Sequence, residues 1–409
     1  MSRVLPFGIC FMVMLLSGCG GTSHNDDPTT PAASPARDSV NVDSDVSSAH
    51  FATSDAFFKA ILQEEMDQNV MISPYSLQVL LYMLANGLGG SDREELLEAL
   101  HVNETDLEAL NQSVQQTIQS LDDLPFSDVK TANSIWHRDH LAVEDSFKEM
   151  IGTYYNGEAH ELKVTNPAEE LNNWVHQKTN GLIEELVDEV PSNVIAYLVN
   201  AVYLDADWEK PFEKHLTSPG SFYMLDGEEI EHPMMKQTET FEYLEGSSFE
   251  AVKLPYQDEG LSMIVVLPDT GAYEEVAFDL DFSMFVDGDW SRSEVDLQLP
   301  NFTFKREYDL EDILTEMGMG MLFNQGLNTS PLFGEGSSHE IDEVFQKTYI
   351  NVDEEGTEAA AVTGAAIIES ATIVEKQFIV DRPFLFSIID EETETIVFMG
   401  SVVRPVIEP

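Results

Sequence analysis

EEGTEAAAVTGAAIIESAT, residues 354–372, is the stretch from which the fold of this chain can be inferred. Small residues replace large ones here, and no proline interrupts them. As a strand, residues 357–366 would present one face beginning with Thr357 and a second face whose only bulky members are Glu358 and Val362. A strand that enters a packed sheet needs these properties, because large side chains would clash and proline would remove ladder hydrogen bonds. An alanine-rich helix or an irregular loop is the alternative.

Outside this stretch, apolar periodicity predicts helices in the first third of the chain and mostly strands after it. The predicted helices are Phe57–Leu62, Ser76–Leu88, Arg93–Leu100, Glu104–Leu121, Val143–Tyr155, Pro167–Lys178 and Leu310–Met317. The predicted strands are Val129–His137, Val194–Trp208, Phe249–Lys253, Leu261–Leu267, Glu294–Phe304, Phe378–Ile389 and Thr395–Val403. Because strands and helices segregate instead of alternating regularly, the sequence predicts an α+β fold.

The first 19 residues have the features of an export signal. Arg3 precedes an apolar run from Val4 to Leu16, and the run ends in Leu16-Ser17-Gly18-Cys19, which resembles a bacterial lipobox. We expect Cys19 to carry a lipid that anchors the protein at the cell surface or envelope. The alternative is ordinary cleavage near Gly18 or Gly20, which would release a soluble secreted protein.

Residues 20–48 are rich in Ser, Thr, Pro, Ala and Asp and contain almost no large apolar residue. Such a segment cannot bury enough surface to order itself, so we expect a disordered tether. The predicted organisation is a signal at 1–19, the tether at 20–48 and one folded domain at 49–409.

The chain is strongly acidic, with 75 Asp and Glu against 20 Lys and Arg and a formal charge of −55. This charge repels phosphate backbones, which excludes nucleic acid as a partner. It is tolerable where molar salt shortens the Debye length to about 3 Å, so we expect a halophilic source. Recruitment of a basic protease by the acids is the alternative, but the acids are spread along the whole chain.

No common catalytic or metal-binding motif occurs. The sequence lacks G-x-S-x-G, H-E-x-x-H, a Walker loop and C-x-x-C. His137 and His140 stand three apart, but they end a predicted strand and have no obvious third ligand. We therefore predict a protein that is not an enzyme and that needs no metal or cofactor.

Several motifs in the chain are similar to motifs of one family, and they follow in the same order. They are Asn69–Ser76, Leu198–Leu204 with Trp208, Pro211 and Phe212, His232–Met235, Glu354–Ala361, Asp381–Phe386 and Phe398–Gly400. From Ala49 to Pro405 the chain thus resembles a serpin. The resemblance implies helices packed around a large central β-sheet, smaller sheets and an exposed reactive-centre loop.

A serpin of the inhibitory kind presents this loop to a protease, is cleaved, and traps the acyl-enzyme when the loop inserts into the central sheet. By resemblance, the inserting hinge comprises Glu354, Gly356, Thr357, Glu358, Ala359, Ala360 and Ala361. The usual loop length implies cleavage between Ser370 and Ala371, and a loop shorter by one residue implies Glu369 and Ser370. Ile367 and Ile368 would occupy neighbouring subsites in either case.

The first bond predicts elastase-like or subtilisin-like targets, and the second a glutamate-specific protease.

The resemblance also implies a polar cluster at which the central sheet opens, formed by Ser73, Ser76, Asn200 and Gln346. Many serpins have a histidine where this chain has Gln346, which donates and accepts hydrogen bonds but does not titrate near neutral pH.

Three further expectations concern partners. Residues 103–123, which match the basic helix of heparin-activated serpins, contain no Lys or Arg, so we expect no heparin-like activator. We expect a monomer that forms a covalent complex with its target protease. A non-inhibitory serpin, acting as carrier, chaperone or plain substrate, is the alternative, but its hinge would usually contain proline or bulky charged residues.

Overall fold

The structure is a computed structural model, and it describes residues 40, 42–102, 107–163, 165–181, 185–191, 194, 196–286, 288–324, 326–357 and 375–407. Cys19, the hinge residues Glu358–Ala361 and the bait residues Ile367–Ala371 lie outside the described residues. The bulk of the predicted domain is described, together with Glu354, Gly356 and Thr357 of the hinge.

Within these residues the chain forms nine α-helices. They are α1 Ser44–Glu65, α2 Pro74–Gly87, α3 Ser91–Ala99, α4 Leu107–Asp122, α5 Asp145–Tyr154, α6 Pro167–Lys178, α7 Tyr273–Asp279, α8 Glu311–Leu314 and α9 Ser330–Phe333. In the described parts of the chain, no helix is long and apolar enough to cross a bilayer.

Helix α1 begins earlier than the sequence predicts. Asp43 caps it, its Oδ1 accepting a hydrogen bond from the Asp45 amide at 2.9 Å. Val46 and Ser47 are already buried. Helix α1 therefore starts four residues before Ser48, where the sequence places the end of the tether, and its N-cap and the buried Val46 explain the earlier start.

The same residues form seventeen strands. They are β1 Val70–Ile72, β2 Ser127–Arg138, β3 Glu158–Leu162, β4 Ala196–Asp207, β5 Ser218–Tyr223, β6 Glu229–Glu245, β7 Phe249–Pro255, β8 Leu261–Pro268, β9 Ser291–Pro300, β10 Phe302–Asp309, β11 Leu327–Asn328, β12 Ser338–His339, β13 Glu343–Val352, β14 Gly356–Thr357, β15 Lys376–Ile379, β16 Phe384–Asp390 and β17 Thr395–Val402.

These strands make two large sheets and one two-stranded ribbon, β11–β12. The first, called the central sheet below, has the order β10-β13-β14-β4-β2-β3. The second has the order β1-β17-β16-β8-β7-β6-β9-β15, with β5 added on β6. The predicted α+β fold is confirmed.

Two of the predicted strands are each two strands in the structure. The stretch Glu294–Phe304 divides at Asn301, so that β9 belongs to the second sheet and β10 to the central sheet. The stretch Phe378–Ile389 divides around Pro383, whose missing N–H cannot serve a ladder, and β15 and β16 lie far apart in the second sheet.

Helix α2 lies inside the core between the two large sheets. Every residue of α2 except Asn86 is buried, as its nearly continuous apolar sequence predicts. Its neighbour α1 is joined to β17 by His50, whose Nε2 accepts a hydrogen bond from the Ile396 amide at 2.8 Å. Burial lowers the pKa of His50 to about 4, so the ring is neutral and free to accept this bond.

Helix α6 covers the opposite face of the central sheet. Leu171, Trp174 and Val175 of α6 pack in a separate apolar cluster with residues of β2, β3 and β4. Phe345 of β13 packs against the same cluster, and the Lys347 ammonium donates to the carbonyl of Glu185 in the segment after α6. The helix and this segment therefore lie across both β4 and β13.

Candidate functional site

The central sheet is split at one end, between β13 and β4. The two strands pair directly, in parallel, from Glu343 opposite Tyr197 to Lys347 opposite Ala201. Beyond this point β14 lies between them, antiparallel to both. Among the described residues, Gly356 and Thr357 occupy the split, and both belong to the predicted hinge.

The four residues of the predicted polar cluster come together where direct pairing of β13 and β4 ends. Ser73, Ser76, Asn200 and Gln346 are all fully buried. The Gln346 side chain accepts from the Ser73 amide and donates to the Ser73 carbonyl, both at 2.9 Å. Asn200 Nδ2 donates to the Ser76 carbonyl at 3.0 Å and lies 2.5 Å from the Ser76 hydroxyl.

Gln346 therefore meets the donor and acceptor needs of the buried Ser73 backbone with one neutral side chain. A neutral histidine offers one donor and one acceptor nitrogen, and the glutamine amide offers the same pair without a titration. Ser73 also caps α2, its hydroxyl accepting from the Ser76 amide and donating to the Val397 carbonyl. The cluster thus joins the central sheet, α2 and β17.

Sequence reasoning missed one member of this cluster, Asn133. Its Oδ1 accepts from Asn200 Nδ2 at 2.8 Å, and its own Nδ2 has no partner among the described residues. Asn133, Asn200 and Gln346 stand side by side on three neighbouring strands. An asparagine inside the predicted strand Val129–His137 was the available signal, since a buried strand rarely carries one without a polar partner.

The hinge is fixed by backbone hydrogen bonds to the segment after β4. Trp208 donates from its amide to the Glu355 carbonyl at 2.9 Å and from its indole to the Asp353 carbonyl at 3.0 Å. The Phe212 amide donates to the Glu354 carbonyl at 2.8 Å. Residues 353–355 thus have a defined position before the loop begins.

Gly356 approaches β4 more closely than any other residue type allows. A Cβ atom at this position would lie 2.2 Å from the Ala206 carbonyl oxygen and 2.8 Å from the Asp207 Cα. Both are backbone atoms and cannot move aside without distorting the strand. Glycine at 356 is therefore required for the hinge to enter the sheet as far as it does.

Thr357 is already inside the sheet and is only 3% exposed. Its hydroxyl lies 2.7 Å from the Tyr256 hydroxyl, and burial raises the pKa of Tyr256, so both groups stay protonated. The Tyr256 ring stacks on Trp208 with centroids 4.5 Å apart and an interplanar angle of 11°. The Thr357 side chain thus contacts an aromatic pair that sequence reasoning did not identify as a unit.

Like charges are concentrated around this hinge. Burial and the nearby Glu355 and Asp353 carboxylates raise the pKa of Asp207. Lys214 forms an ion pair with Glu355 at 2.7 Å, and Thr217 donates to the Glu354 carboxylate at 2.6 Å. These two contacts tie the hinge acids to the segment that leads into β5.

A metal site does not emerge from the described residues: no three His, Cys, Asp or Glu side chains there lie close enough to share an ion. The two histidines that stand three apart in the sequence, His137 and His140, lie in different surroundings. His137 is buried near the Arg138 carbonyl, whereas His140 is exposed beside Asp139.

The Thr357–Tyr256 contact predicts that removing the tyrosine hydroxyl loosens the hinge. In Tyr256→Phe the buried Thr357 hydroxyl would lose its partner, at a cost of about 1–3 kcal/mol. We expect amide hydrogen exchange of residues 353–357 to become about tenfold faster or more. Tyr155→Phe removes a buried hydroxyl that contacts Asn111, far along the chain from the hinge, and serves as the matched control. Equal hinge exchange in the two variants would contradict this role for Tyr256.

Comparison with known proteins agrees with this geometry. The model of the family described as Serpin (serine protease inhibitor) matches residues 47–405. An uncharacterized serpin-like protein of Thermococcus kodakarensis is 31% identical over 353 residues, covering 83% of this chain and 81% of that protein. Serine protease inhibitor 42Dd of Drosophila melanogaster is 30% identical over 374 residues, covering 88% of this chain and 98% of that protein.

Among solved structures, the native state of tengpin, a thermophilic serpin, superposes with a TM-score of 0.82 at 28% identity, covering 90% of this chain and 96% of that one. Sequence motifs, sheet order and family match therefore lead to one conclusion. This chain belongs to the serpin family, whose members are generally serine protease inhibitors and not enzymes.

Proposed function

We propose that this protein is a monomeric suicide inhibitor of serine endopeptidases. The protease cleaves the loop between β14 and β15 and is held as an acyl-enzyme while the freed strand inserts between β13 and β4. The observation that carries the proposal is β14 itself. Gly356 and Thr357 already occupy the first two positions of the space that the strand would fill.

The existing register indicates what further insertion would do. Thr357 stands opposite Ala206 on one side and Val352 on the other, in both cases antiparallel. If both antiparallel registers, β14 with β4 and β14 with β13, continue beyond Thr357, then Thr363 lies opposite Asn200 on one side and opposite Gln346 on the other. Those two residues are Cα partners across β4 and β13 in the uncleaved protein. Insertion past Val362 would therefore part the polar cluster and put the Thr363 hydroxyl in its place.

Side-chain size along the loop supports the same course. Thr357 faces the interior, so Ala359, Ala361 and Thr363 would follow it on the inner face. All are small enough for a close-packed site.

Fourteen steps separate Gly356 from Ser370, so full insertion would carry the attached protease about 45 Å along the sheet.

We propose Ser370–Ala371 as the cleaved bond, with Glu369–Ser370 as the alternative. Ile367 and Ile368 would fill apolar subsites of the protease. The first bond suits elastase-like or subtilisin-like enzymes and the second a glutamyl endopeptidase. Residues 358–374 contain no Lys or Arg, so trypsin-like targets are not expected.

The test is incubation with elastase, subtilisin, trypsin and a glutamyl endopeptidase, followed by denaturing gels. We expect a covalent complex with elastase or subtilisin. The released peptide identifies the bond by mass, residues 371–409 for cleavage after Ser370 and 370–409 for cleavage after Glu369. Cleavage without any covalent complex would favour the non-inhibitory alternative.

We further propose that the protein works in saline surroundings, because a charge of −55 is self-repulsive at low ionic strength. The incubation is therefore run from low to molar salt. Trapping that is retained or improved at molar salt agrees with this habitat, and trapping that is lost as salt rises contradicts it.

The register predicts a specific block to insertion at Thr363. In Thr363→Arg a guanidinium would reach the level of Asn200 and Gln346, where the described residues of the polar cluster are all buried and none of them carries a charge. We expect this variant to be cleaved as a substrate with little or no covalent complex.

Glu358→Arg is the matched control for this block. Its position would stand opposite Asp205 on the other face, and Asp205 is only partly buried. We expect Glu358→Arg to keep forming the complex. Equal trapping by Thr363→Arg and Glu358→Arg would contradict insertion in the existing register.

For localisation, we propose export with a lipid anchor on Cys19. The support is the sequence alone, an apolar run after Arg3 that ends in Leu16-Ser17-Gly18-Cys19. In the native host, the wild-type protein is expected in the detergent phase of a phase-separation assay and Cys19→Ser in the aqueous phase. Aqueous partition of the wild-type protein would instead favour ordinary secretion.

A further inference from the structure

Large apolar side chains are exposed in one region of the surface. In the part of the chain that the structure describes, the well-exposed ones are 42–56% accessible, and we call them the apolar rim: Phe126, Leu216, Tyr223, Leu225 and Ile407. Isolated exposed apolar residues are normal on a protein surface. Their distribution needs an explanation, because register and hydrogen bonds place them near β14 and near the segment that follows β15.

Three members of the apolar rim lie on β5 and the segments flanking it. Just after Leu216, Thr217 donates to the Glu354 carboxylate at the start of the hinge. The Tyr223 amide donates to the Asp381 carbonyl at 2.8 Å, just beyond the strand that follows the loop. β5 and its neighbours therefore contact the chain on both sides of residues 358–374.

The turn after β5 is well fixed. The Met224 amide donates to the Glu228 carbonyl and the Gly227 amide donates to the Met224 carbonyl, both at 2.9 Å. Gly227 has a φ of +84°, and the Asp226 carboxylate accepts from the Glu228 amide. Leu225 is thus presented to solvent on a hydrogen-bonded turn.

The other two members lie on either side of the hinge. Phe126 precedes Ser127, which stands opposite Ala206, the partner of Thr357. Ile407 forms a bridge with Thr303, next to Phe302, which stands opposite Val352. The strands concerned, β2 and β10, are four steps apart in the central sheet, or about 20 Å. This span fits beneath a single protease molecule.

We infer that the apolar rim is a docking surface for the body of the target protease, outside its substrate cleft. This rests on the proposed function, since a protease that holds residues 358–374 in its cleft must come close to both ends of that segment. Contacts of the segments bearing the rim with the chain on both sides of residues 358–374 identify the protease as the occupant. The carboxylates of Asp226, Glu228 and Glu229 border the rim and favour a protease with basic residues around its cleft.

The exposed apolar side chains, and not the acids, distinguish this surface, because acidic residues are spread along the whole chain. At molar salt the ionic contribution would be screened within about 3 Å, whereas burial of Tyr223, Leu225 and Leu216 would remain effective. The rim would therefore supply affinity for the protease under conditions where charge steering fails.

The test separates docking from trapping by using protease whose catalytic serine is changed to alanine, which can bind but cannot acylate. Binding of such subtilisin and elastase is measured for full-length wild-type protein and for the triple variant Leu216→Ser, Tyr223→Ser, Leu225→Ser. Loss of well-buried interface anchors predicts a dissociation constant at least about tenfold higher. With active protease, the rate of complex formation should fall in proportion while the number of inhibitor molecules consumed per protease stays unchanged.

His140→Ser is the matched control, because its ring is exposed and follows the far end of β2, about 36 Å from Phe126. It should change binding less than twofold. Triple-variant binding within twofold of wild type for both proteases would overturn the inference while leaving trapping intact. Absence of any complex with active protease would overturn the proposed function instead. If sedimentation shows a wild-type dimer that the triple variant dissolves, the rim is a self-association surface and the inference is wrong.

Discussion

The state of this protein depends on one buried side chain, Gln346, which links β13 to the first turn of α2. Its amide satisfies both the N–H and the C=O of Ser73, and it stands opposite Asn200 on β4. Separating these strands would leave several buried polar groups without partners unless an entering residue replaced them, at a cost of about 1–3 kcal/mol for each group. The central sheet is therefore closed at this cluster, where β13 and β4 pair directly. Nearer to Val352 and Ala206 the two strands lie apart, and β14 lies between them.

The sequence was informative about the cluster and less so about the strand that carries it. Ser73, Ser76, Asn200 and Gln346 meet as the resemblance implied, but β13 was not predicted. Its buried face alternates strictly along the strand, yet two of the five buried positions are Gln346 and Thr348, so apolar periodicity failed there. Polar residues at buried positions, among them the cluster residue Gln346, are therefore what hid the strand. Asn133 and the Trp208–Tyr256 stack depend on contacts between distant segments, which periodicity cannot reveal.

Helix α6 adds a second constraint on the same strands. Its apolar cluster includes Tyr197 and Val199 of β4 and touches Phe345 of β13, on the face opposite the polar cluster. A strand that entered between β4 and β13 would widen the surface on which α6 rests and displace this packing. The polar cluster on one face and the apolar packing on the other would then have to separate together. The sheet is therefore held closed both by hydrogen bonds and by apolar burial, and apolar burial depends on temperature and on salt type.

The contacts of β17 have a consequence for the time at which the protein can fold. Val70 to Ile72 pair with Met399 to Ser401, His50 receives the Ile396 amide, and Ser73 donates to the Val397 carbonyl. The first helices thus find their partners in the last fifteen residues of the chain. A ribosome must release β17 before the N-terminal core can close, and such non-local closure is slow. Until β17 is available, β1 lacks the strand with which it pairs and the buried Ser73 hydroxyl lacks its acceptor, the Val397 carbonyl.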